Sequence, residues 1–70
     1  MNRMDIKIRE HIRSNFKDSD QKEIKESIVA SIESKDEVVL PGLGVFFEIL
    51  WNGSDDNLKE TILETIQSHL

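Results

Sequence analysis

A chain of 70 residues and 8.1 kDa holds one small domain, expected to span residues 1–70. Its composition, 37% hydrophobic and 33% charged, is that of a soluble globular protein rather than a disordered or membrane one. A multidomain enzyme is excluded, and with no cysteine so is a disulfide scaffold. At this size folding buries only about 60% of the surface of the unfolded chain, so stability is marginal. The net charge of −5 is unevenly placed: residues 1–35 hold eight Lys/Arg and seven Asp/Glu, residues 36–70 one Lys and seven Asp/Glu. The N-terminus interleaves charges with apolar residues and has no signal-peptide core. No apolar run approaches the roughly 18 residues that cross a bilayer. A cytoplasmic protein with no membrane role is expected.

Met4, Ile8, Ile12 and Phe16 recur every four residues, which predicts a first amphipathic helix; Ile6 alone falls off the stripe. Arg3, Lys7, Arg9, Arg13 and Lys17 occupy the rest of its surface and outnumber Asp5 and Glu10 by three. Such a basic face is a candidate for nucleic-acid phosphates. A solvated face, or an intramolecular match to the acidic half, explains it better, because that half would repel a nucleic acid. Asp18-Ser19-Asp20 then offers acceptors for a second helix, with Asp20 and Glu23 at capping-box spacing. Its stripe is Ile24, Ile28 and Ile32, widened by Val29, and Ser34-Lys35-Asp36 marks its end.

Residues 38–51 carry ten of the 26 hydrophobic residues and every aromatic except Phe16. Pro41-Gly42 favours a tight turn, the glycine being able to adopt a positive φ, and Gly44 adds a second permissive point. The run from 45 to 51 is too short and too continuously apolar for periodicity to assign. As a strand, it pairs with Val38-Val39-Leu40 in a hairpin. As a helix of about two turns, it opens at Gly44 and closes at Asn52-Gly53 through a left-handed cap. The immediate restart at Ser54 favours the helix, since a lone hairpin is marginal. A last helix over residues 57–70 presents Leu58, Ile62, Leu63, Ile66 and Leu70 within an arc of about 140°, capped by Ser54-Asp55-Asp56. The expected fold is all-α, a compact bundle of about four short helices. The alternative is α+β, with a hairpin around residues 38–49.

Catalytic and metal-binding patterns are missing. His11 and His69 lie in different helices with no further His or Cys at ligand spacing. The run from Asp18 to Glu23 begins like a calcium loop, but Lys22 replaces a ligand and Glu23 stands where glycine is required, so capping accounts for it. The seven serines form no nucleophile elbow. Leu40-Pro41-Gly42-Leu43-Gly44 lacks the Lys-Ser/Thr of a phosphate loop and the third glycine of a dinucleotide fingerprint. No cofactor and no enzymatic activity are expected. Phe46, Phe47 and Trp51 are candidate binding anchors, against the plainer reading that they pack a small core.

The segment Leu40-Pro41-Gly42-Leu43-Gly44-Val45-Phe46-Phe47-Glu48-Ile49-Leu50-Trp51, followed by a polar Ser/Asp stretch and an amphipathic helix, closely resembles the small acid-soluble spore protein I family of endospore-forming bacteria. Upstream, His11 is offset by one, while Asn15, Gln21, Ile28-Val29 and Ile32 fall at the family's spacing. The resemblance covers nearly the whole chain. It implies a minor spore protein, made in the forespore and kept in the spore core, and it brings no catalytic role. It is distinct from the abundant spore proteins that coat DNA, whose signature is absent. A partial likeness to the start of bacterial histone-like DNA-bending proteins, carried by two helices and residues 35–46, stops at Asn52-Gly53-Ser54-Asp55-Asp56, where those proteins have a basic arm. The expected protein is non-enzymatic and acts by contact with an unidentified protein or as filler of the spore core, as a monomer or a homodimer joined around Phe46, Phe47 and Trp51. Leu40, Pro41, Gly42, Leu43, Gly44 and Val45 form its family motif. Nucleic-acid binding through the basic first helix is the alternative.

Overall fold

The structure, a computed structural model, describes residues 3–70, and side chains from residue 7 onward. It is all-α: four helices in the expected order, with no strand among the described residues. The first helix, α1, runs Arg3–Phe16. The side chains of Arg3 and Met4, assigned above to the basic face and the apolar stripe, lie outside the described residues.

Helix α2, Gln21–Ser34, starts with the capping box that its sequence spells. The Glu23 amide donates to Asp20 Oδ1 at 2.9 Å and the Asp20 amide donates to Glu23 Oε1 at 3.3 Å, satisfying two orphan donors reciprocally. It ends as expected near Ser34, at Lys35, whose φ of 55° places it in the left-handed region. That conformation turns the chain sharply, and Asp36 then caps a 3₁₀ turn, Glu37–Val39, by accepting from the Val38 amide at 3.0 Å.

Helix α3, Leu40–Asn52, settles the ambiguous segment. It is the helix expected there, and the hairpin alternative is absent. Three details of that helix differ from expectation. Pro41-Gly42 is no separate turn but the first turn of the helix, where a proline loses no hydrogen bond because that amide has no intrahelical partner. The helix therefore opens at Leu40 rather than Gly44, and no glycine has a positive φ. At the other end Gly53 has φ −90° and is right-handed, not left-handed. The Ser54 hydroxyl donates to the Leu50 carbonyl and the Gly53 amide to the Ile49 carbonyl at 3.0 Å, so the last carbonyls are satisfied without the left-handed turn. Helix α4, Asp56–Ser68, begins one residue before the expected start, stops two short of the expected end, and takes Asp55 alone as its cap, the Leu58 amide donating to its Oδ1 at 2.8 Å.

The packing centres on α3, which lies mainly on α1 and also meets α2 and the 3₁₀ turn. Among the described residues Val45 is the buried hydrophobic side chain, at 5% exposure. The Phe46 ring meets Phe16 edge to face, with centroids 5.1 Å apart, and a Cβ on Gly42 would stand 3.4 Å from Ile12 Cδ1. Gly42 thus lies where α1 and α3 approach closely. Ile24 and Ile28 of the α2 stripe are half-buried, but Ile32 remains 59% exposed. Folded monomers of this mass present roughly 4,500 Å² to solvent. This chain presents 6135 Å².

Gly44 has no such reason to be glycine. A Cβ there would meet nothing within 4 Å, and its φ is ordinary for a helix. Gly44→Ala is expected to stabilise the fold by about 0.5–1 kcal/mol, visible as a melting temperature raised by a few degrees. An unchanged or lowered melting temperature would contradict this.

Candidate interaction surface

The family-motif residues Leu40, Pro41, Gly42, Leu43, Gly44 and Val45 form the first turn and a half of α3. They bring the helix onto α1 through Gly42 and Val45, while Leu40 stays exposed. Beyond them α3 carries a single charge, Glu48, and every other residue from Phe46 to Trp51 is apolar. A helix that is apolar on all sides belongs inside a core, yet Phe47 and Leu50 remain 42% and 44% exposed. Phe47 stacks on Trp51 with centroids 6.1 Å apart, and Lys59 of α4 places Nζ 5.2 Å from the Trp51 ring. Of the three candidate anchors, Phe46 thus packs inward on Phe16, Trp51 is covered in part by Lys59, and Phe47 faces outward.

Between α1, α2 and α3 runs an apolar groove of 980 Å³, lined by Ile12, Phe16, Ile28, Phe46, Phe47 and Leu50, with the exposed Arg13 and Lys17 also along it. A neighbouring recess of 600 Å³ shares Ile12, Phe16 and Phe46 and continues towards Val38 and Val39. No α4 residue lines either of them.

Sequence reasoning missed the ion pair that closes α1 on α3. Arg9 donates from Nε to Glu48 Oε1 and from Nη2 to Oε2, both at 2.8 Å, the parallel two-bond geometry that suits a guanidinium and a carboxylate. The partners are 39 residues apart, so helical spacing says nothing of them. The only signal was an acid alone in an apolar helix. Of the proposed phosphate-binding face, Arg9 is engaged in this pair, while Lys7, Arg13 and Lys17 are exposed. The hydrogen bond from Arg9 holds the Glu48 carboxyl below its ordinary value of 4.5, against partial burial that raises it and with further lowering from the charges of Arg9 and Arg13. The folded state therefore takes up this proton less readily than the unfolded state. Its stabilisation is present above the ordinary value and is lost as pH falls through the lowered one. Glu48→Gln is expected to lose less stability than the parent between about pH 5 and pH 3, read from urea midpoints; parallel curves would remove the pair from the acid response.

The histidines stand apart: His11 Nε2 is 3.1 Å from Asn15 Nδ2, and His69 Nδ1 is 2.7 Å from the Thr65 carbonyl. Among the described residues no group of His, Asp and Glu is arranged to hold a metal ion, and no helix is long and apolar enough to cross a membrane.

The profile of the family described as "Small, acid-soluble spore protein I" matches residues 6–70, which include the whole of the motif helix. The chain belongs to the small, acid-soluble spore protein I family. Two relatives bearing that same description, from Bacillus cereus (strain G9842) and Bacillus anthracis (strain CDC 684 / NRRL 3495), are each 39% identical over 67 residues, covering 96% of this chain and 97% of theirs. No solved structure matches it. Membership makes this a sporulation protein. Within this member of the spore protein I family, residues 40–45 serve the α1–α3 junction, and the surface left open lies beyond them.

Proposed function

We propose that this family member is a non-enzymatic protein of the spore core, made in the forespore, which works through protein contacts made by the exposed face of α3. The observation that carries the reading is that face: Phe47, Ile49 and Leu50 are open to solvent on a helix whose composition suits an interior. A non-catalytic role is supported by how the acidic residues are used. Asp20, Asp36 and Asp55 cap helices and Glu48 holds Arg9, so these carboxylates have structural duties. The nucleic-acid reading draws less support, since Arg9 is already held by Glu48 and residues 36–70 are acidic.

The test follows the chain through sporulation in an endospore-forming host, with a photo-reactive side chain in place of Phe47. The protein is expected to accumulate in the forespore, to remain in coat-stripped spores, and to give cross-linked adducts on illumination. Abundance in vegetative cells with absence from forespores overturns the setting. Forespore protein that yields no adduct overturns the contact role.

A further inference from the structure

We infer that two copies of this chain pair reciprocally, α4 of each lying in the α1–α2–α3 groove of the other. The inference deepens the contact role proposed above by naming the partner as a second copy. Three observations converge on it. First, the accessible surface of 6135 Å² exceeds that of an ordinary folded monomer of this mass by roughly 1,600 Å². Twice that excess lies within the range of about 2,000–5,000 Å² that obligate homodimers bury.

Second, the groove has a counterpart among the described residues. Besides the groove, the stripe of α4 is open, with Leu63 54% and Ile66 43% exposed. The chain's own α4 does not fill its own groove; Lys59 on Trp51 and the Ser54 hydroxyl on the Leu50 carbonyl hold its start at the far end of α3. Third, the charges match. Arg13 and Lys17 lie along the groove with no acidic residue lining it, while α4 carries Asp56, Glu60 and Glu64 against Lys59 alone. Opposite charge at the edge of an apolar contact selects this pairing over groove-to-groove or α4-to-α4 contact, each of which sets like charges together. Reciprocal docking uses the same two patches on both copies, as a two-fold dimer requires.

The test is solution mass by light scattering on the full chain. Wild type is expected at about twice 8.1 kDa at micromolar concentration. Leu63→Lys with Ile66→Lys places positive charge opposite the basic groove, and Phe47→Glu with Leu50→Glu places negative charge opposite the acidic helix. All four residues are exposed, so helical circular dichroism should persist. Each double variant is expected to run as a monomer. Mixing the two restores one intact docking and a complementary second, so the mixture should return to the doubled mass. A variant that loses its helical signal is replaced by the corresponding alanine pair, expected to weaken dimerisation by at least about tenfold. A monomeric wild type at millimolar concentration overturns the dimer while leaving contact with another protein intact. A dimer insensitive to either double variant, or a mixture that stays monomeric, overturns the reciprocal docking.

Discussion

Val45→Asp is expected to leave the chain unfolded at room temperature. Val45 is the buried hydrophobic side chain of the described structure, and it sits on α3 where α1 packs. A carboxylate there loses its hydration, and the neighbouring guanidinium of Arg9 is already paired with Glu48. The penalty for an unpaired buried charge, several kcal/mol, matches or exceeds the roughly 3–5 kcal/mol that a single core of this size supplies. Val45→Ala removes only two methyl groups and is expected to cost about 2 kcal/mol, so it stays folded with an earlier urea midpoint. Far-ultraviolet circular dichroism separates the two outcomes. A Val45→Asp chain with a native helical signal and a cooperative melt would move the core away from the α1–α3 junction.

The second large effect divides the aromatic residues that the sequence groups together. Phe46→Ala is expected to cost about 2–3 kcal/mol, below the range for a fully buried phenylalanine because the ring is half-buried. Phe47→Ala, one residue on, is expected to cost the fold of the single chain less than about 1 kcal/mol, since within one chain its ring is 42% exposed and stacks on Trp51. The edge-to-face geometry at 5.1 Å adds coupling between Phe46 and Phe16. A double-mutant cycle on that pair should return about 1 kcal/mol. Equal costs at 46 and 47, or a cycle that closes to zero, would contradict the orientation of α3 on α1.

Local signals were the legible part of this fold. The Asp20/Glu23 box and the Asp55 cap depend on residues three apart, and both form as their spacing requires. The four-residue stripes place α1, α2 and α4 for the same reason. Residues 40–53 were harder because each local cue there suits two structures. Pro41-Gly42 serves a tight turn or a first helical turn, and what decides is the Asp36-capped 3₁₀ turn that delivers the chain in helical geometry. Asn52-Gly53 suits a left-handed cap, yet the Ser54 hydroxyl takes over the carbonyl that such a cap would serve.

The candidate site was legible only in composition. Periodicity tells which residues share a face, not what covers that face. Ile32, Leu63 and Ile66 read as core residues in their stripes and are exposed in the structure. Phe46, Phe47 and Trp51 read as one cluster, yet Phe46 packs on Phe16 while Phe47 and Trp51 stack on each other and Lys59 meets the Trp51 ring. The Arg9–Glu48 pair depends on a tertiary approach that no spacing rule encodes.

The central claim is that α1 on α3 carries the fold while the groove and α4 are left as contact surface. Amide hydrogen exchange, measured residue by residue at a low and a high protein concentration, tests it most directly. The slowest amides at low concentration should lie around Val45 in α3 and on the facing turns of α1, with α4 exchanging faster and gaining protection as concentration rises. If α4 is as protected as α3 at the lowest concentration and does not change, it belongs to the core of the single chain, and the account of its open surface is wrong.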